Sequence, residues 1–175
     1  MLPARTEFQY PGTTMLQQLV PAEMLLVKLL RIWRLARTGR VPEAAWISAL
    51  RAWDLPDTLN YHFDMLCHAV VTGNRRPLAV CGLGCCQIAE DEGRLLRVMA
   101  MLQHHRQAEA ATALDAWLFP PAARRAESHM QALALGMSLA ELVIPLMPMQ
   151  LLTREGWTPT HGQTLIRLAA SPLRH

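Results

Sequence analysis

Lysine is almost missing from this 175-residue chain: Lys28 is the sole lysine among 17 basic residues. Tyrosine (2) and phenylalanine (3) are scarce, and charged residues amount to 18%. β-branched residues are thin and form no alternating run of strand length, which excludes an extensive sheet. The low charge stands against a hydrophobic content of 51%, and that balance excludes a disordered chain. Four cysteines fall short of a disulfide-scaffolded miniprotein. A formal net charge of +3 is too mild to declare a nucleic-acid binder. The first residues, MLPARTEFQYPGTT, are polar and lack the apolar core of a secretory signal, so a cytoplasmic location is expected.

Several catalytic signatures are missing too. The chain has no Gly-x4-Gly-Lys-Ser/Thr phosphate loop, no His-Glu-x-x-His helix, no Glu-x-x-His pair and no Gly-x-Ser-x-Gly elbow. The stretch LAVCGLGCC carries half of a dinucleotide fingerprint, but Gln87 occupies the third glycine position and no second strand follows.

What remains is rich in Leu, Ala, Met, Gln and Arg, all strong helix formers. The expectation is an all-α fold: a single compact bundle of about six or seven helices over residues 13–175. Residues 1–12 are expected to form a flexible N-terminal arm, broken by Pro3, Pro11 and Gly12. Start and stop signals predict a short turn at 14–19 and helices over 21–37, 42–53, 57–71, 90–104 or 105, 107–118, 121–143 and 160–170. An irregular Gly/Cys-containing segment over 74–89 interrupts them. Expected core residues are Trp46, Trp53, Phe63, Leu66, Leu95, Leu96, Val98, Leu102, Leu114, Trp117, Leu133 and Leu139. The most apolar window, 132–152, approaches membrane-spanning length, but Glu141, Pro145 and Pro148 argue for a buried helix ended by proline.

Three features carry the functional reading. The first is the helix over 21–37, apolar nearly all round, with Met24, Leu25, Leu29 and Trp33 as candidate partner-binding residues. Met137, Met147 and Met149 join them, because methionine packs adaptably at partner surfaces. These favour a non-enzymatic accessory, adaptor or regulatory protein that binds a protein partner or a second copy of itself; no catalytic constellation emerges, so catalytic residues stay unassigned, and no cofactor is expected on this reading. The second is a cluster of all four cysteines, Cys67, Cys81, Cys85 and Cys86, with His68 beside the first. Thiolates ligate zinc and iron–sulfur clusters, so metal binding or thiol-redox chemistry is the alternative. The spacing Cys-x13-Cys-x3-Cys-Cys matches no standard metal pattern, and buried structural thiols stand against both. Asp64 shares a helix face with Cys67 and His68 and stands as a supporting group.

The third is a basic ladder, Lys28, Arg31, Arg34, Arg37 and Arg40. With Arg75 and Arg76 it is a further alternative, a nucleic-acid-binding regulator. A step of three falls about 60° short of a helical turn, so the ladder spirals instead of making one face. The arginines are therefore expected to lay their stems along an apolar helix with their heads in water. His129 is expected on an exposed helix side.

Overall fold

The computed structural model describes Tyr10 and residues 14–146. Among them it is all-α, with six α-helices and one 3-10 turn, Leu16–Gln18. The helices are α1 (Pro21–Arg37), α2 (Ala44–Arg51), α3 (Thr58–Gly73), α4 (Glu90–Gln103), α5 (Gln107–Trp117) and α6 (Pro120–Leu139). Isolated β-bridges occur at Met15–Gln87 and Asn74–Leu118. No helix among the described residues is long and apolar enough to cross a membrane. The expected helix over 160–170 lies outside the described residues.

Local chemistry explains the boundaries. Pro21 opens α1, and the Glu23 carboxylate turns back to accept the Val20 N–H at 2.9 Å. Glu92 does the same at α4, accepting the Ala89 N–H at 2.7 Å. Both are half of a capping box. Gly39 ends α1 at φ +70°, where a side chain is strained. Asp57 precedes α3 as expected, but its carboxylate accepts Arg51 Nε at 2.9 Å and caps no helical N–H.

The most extensive helix contact is between α3 and α6, which run antiparallel. Small residues fix both ends of it. A Cβ on Gly73 would stand 1.9 Å from the Ala122 Cβ, and one on Gly136 would stand 2.5 Å from Leu59 Cδ1. Gly73 therefore serves close packing; it is the last residue of α3, not the left-handed stop that its position suggests.

Ten of the expected core residues are buried, from Trp46 to Leu133. Two are not. Trp53 is 39% exposed, because α2 ends at Arg51 and the chain turns through Asp54 at φ 54°. Leu139 is 78% exposed, because α6 overruns the start of α3, whose Leu59 packs at Gly136. Tyr10 packs against α1 and α4: its hydroxyl donates to Glu23 Oε1 at 2.6 Å, and its ring packs at Gly93, where a Cβ would stand 3.3 Å away.

Candidate thiol site

The irregular segment between α3 and α4 has no ladder of its own, so its backbone polar groups need partners from elsewhere. Two rungs of the basic ladder supply them. Arg31 is 1% exposed and does not reach water. Its Nε and Nη2 grip Glu92 at 2.7 and 2.9 Å, a bidentate pair, and Glu92 is fully buried. Arg31 Nη1 donates to the Cys85 carbonyl at 2.7 Å and Nη2 to the Gln87 carbonyl at 2.6 Å. One turn on, Arg34 Nη1 donates to the Val80 carbonyl at 2.6 Å. The expectation that these arginines keep their heads in water is thus corrected at Arg31.

Other contacts tighten the same loop. The Leu16 N–H donates to the Cys86 carbonyl at 2.6 Å, and the Ile88 N–H to the Thr14 carbonyl at 3.1 Å. Within the loop, the Cys85 N–H closes on the Gly82 carbonyl at 3.1 Å. From α4, Glu92 Oε1 accepts the Cys81 N–H at 3.3 Å, and Asp91 Oδ2 accepts the Ala79 N–H at 2.7 Å.

This turn brings Cys81 and Cys85 close enough for each thiol to shift the acidity of the other. Their acidities diverge. Burial, then the Cys85 thiol, pushes the Cys81 thiol up to about 11. Cys85 is pulled below the ordinary thiol range, first by the Gln87 N–H, then by the Cys81 thiol, with help from the Arg31 charge. Both sulfur-bearing residues are half-buried.

The remaining members of the cluster sit apart in role. Cys67 is buried on α3, and burial pushes its thiol well above the ordinary range. His68 belongs to a different group: its Nε2 accepts Arg37 Nη2 at 2.5 Å, and its ring stands edge-on to Trp33. Asp64 in that group accepts Trp33 Nε1 at 2.7 Å. Cys86 is exposed. Among the described residues no group of three or more His, Cys, Asp or Glu is placed to hold a metal ion.

The candidate partner residues are also relocated. Leu25, Leu29, Trp33 and Met137 are each 3% exposed or less and Met24 is half-buried, so the chain itself covers them. Met147 and Met149 lie outside the described residues. Among the arginines proposed for nucleic acid, Arg37 pairs with Glu43, Arg76 with Glu90 and Asp91, and Arg75 lies over the Phe119 ring.

Sequence reasoning singled out the cysteines and the ladder separately and missed their connection. The available signal was an arginine inside an otherwise apolar helix stripe, together with a carboxylate at the third position of a later helix. Comparison with protein-family models, curated proteins and solved structures gives no match.

Proposed function

We propose that this chain is a thiol-redox protein in which Cys85 is the reactive thiol and Cys81 resolves it. The observation that carries this reading is the Cys81–Cys85 turn, closed by the Cys85 N–H on the Gly82 carbonyl and fastened by buried Arg31 through the Cys85 and Gln87 carbonyls, with the two thiols shifted in opposite directions. The oxidant is a disulfide. The Cys85 thiolate attacks one of its sulfurs, forms a mixed disulfide and expels a thiolate, which takes up a proton. Cys81 then loses its proton and attacks the Cys85 sulfur. The Cys81–Cys85 bond forms, the second substrate thiolate leaves and takes up the proton Cys81 lost, and two electrons have passed to the substrate. In a reducing cytoplasm the resting state is the dithiol and oxidation is the event.

Oxidised glutathione tests this on the full reduced chain. The expected product is a Cys81–Cys85 disulfide mapped by mass spectrometry, with Cys86 left as a thiol. Cys81→Ser is expected to stop at a mixed disulfide on Cys85, and Cys85→Ser to slow the reaction at least tenfold. Alkylation of Cys85 should persist to lower pH than that of Cys81, then fade as protonation removes the thiolate. Equal reactivity of the accessible thiols, with no internal disulfide, sinks the reading.

A second reading, a helical accessory protein acting through protein contacts, is supported by Leu135 and Leu139. They lie one turn apart on α6 and are 64% and 78% exposed. Light scattering at increasing concentration should then show self-association that Leu135→Glu/Leu139→Glu removes. A clean monomer at every concentration counts against a surface that a second copy covers.

A further inference from the structure

We infer that His62 on α3 and His129 on α6 form an interhelical site for a late first-row divalent cation, bound through both Nδ1 atoms. These nitrogens lie 3.1 Å apart. Two imidazole nitrogens bound to one ion at 2.0–2.1 Å with near-tetrahedral geometry stand roughly 3.3 Å apart. The rings therefore already hold a chelating separation, with centroids 5.3 Å apart and planes inclined by 52°.

The separation is set by the packing around it. Gly73 against Ala122 and Leu59 against Gly136 fix the two ends of the α3–α6 contact, and the histidines lie between those ends. Tyr61 packs edge-on to both rings, at 5.5 and 5.7 Å. Burial, and then the neighbouring His62, holds His129 below the ordinary histidine range. His129 is thus half-buried against a partner ring, not on the free helix side expected from the sequence. Neither ring takes part in the thiol chemistry, so the two readings stand or fall separately.

Paired imidazoles suit Ni²⁺, Cu²⁺ and Zn²⁺. No third His, Cys, Asp or Glu joins them among the described residues, so water completes the coordination sphere. Nickel is the better probe, because thiolates compete more strongly for zinc and copper. Titration calorimetry of the untagged, reduced full-length chain with nickel chloride should give a site that His62→Gln and His129→Gln each weaken at least tenfold. Saturating nickel should also raise the melting temperature of the unmodified chain, by roughly 5–10 °C at a free concentration about 100 times Kd. In NMR spectra of the unmodified chain, nickel should broaden the His62 and His129 ring protons before those of His68, His104 and His105. Equal affinity in the Gln variants, no binding, or first broadening at other histidines leaves a ring-to-ring hydrogen bond only and overturns the site.

Discussion

Arg31→Met is expected to lower the free energy of unfolding by about 3–5 kcal/mol, the usual cost of stranding one member of a buried ion pair. Urea denaturation followed by circular dichroism measures it. The loss has two sources. Glu92 loses its bidentate partner at zero exposure, and the Cys85 and Gln87 carbonyls lose their donors. The double variant Arg31→Met/Glu92→Leu separates them. Exchanging an isolated buried pair for apolar residues is often neutral or stabilising. Here Glu92 also holds the Ala89 and Cys81 N–H groups, so the double variant leaves backbone groups unpaired on both sides of the loop. Each costs about 1–3 kcal/mol when it stays buried. The double variant should therefore remain clearly less stable than the parent. Full recovery would show that the backbone contacts contribute nothing, and that Arg31 does not organise the thiol turn.

The helical architecture was legible because it rests on short-range rules. Pro21, Gly39, Pro120 and the Glu90–Glu92 run mark helix ends through local backbone and dipole chemistry, and the stripes of α1 to α6 repeat with the helical period. The errors came from long-range geometry. Leu139 fits its helix stripe, but only the length of α3 decides that nothing covers it. Gly73 reads as a stop, yet its use is a contact with Ala122, far along the chain at the start of α6. Helical spacing correctly spread the basic ladder around α1, but could not say what each rung would meet. Arg31 and Arg34 meet carbonyls of the cysteine segment; Arg37 meets Glu43 and His68. The cysteine window was visible, whereas the division of its four members depended on the turn at Gly82. That turn pairs Cys81 with Cys85, while Cys67 stays in the core and Cys86 faces solvent. The apolar α1 surface shows the same limit: Leu25, Leu29 and Trp33 were recognisable as residues that must be covered, but not as residues covered by their own chain.

Asp91→Ala should be the next most damaging change, at about 3 kcal/mol, with its effect concentrated in the irregular segment. Asp91 is fully buried in the first turn of α4. One oxygen accepts the Ala79 N–H at 2.7 Å and Asn74 Nδ2 at 3.4 Å; the other accepts Arg94 Nη1 at 2.9 Å. Alanine removes all three acceptor contacts and leaves the Ala79 N–H without that partner, at about 1–3 kcal/mol for the buried donor alone. Asp91→Asn keeps a carbonyl oxygen of the same size but loses the charge facing Arg94 and Arg76, so its cost should be smaller. The diagnostic readout is amide hydrogen exchange. Residues 74–89 borrow their partners from α1, α4 and the segment around Thr14, so their protection depends on those side chains and not on a helix or sheet of their own. In Asp91→Ala the Ala79 amide should exchange at least tenfold faster, while amides in the middle of α3 and α6 change only with global stability. The Cys81 thiol should become more accessible to alkylation at the same time, because burial is the largest cause of its high pKa. If Ala79 exchange were unchanged relative to α3, Asp91 would be stabilising α4 alone. The carboxylates at the start of α4 would then have no part in holding the dithiol turn.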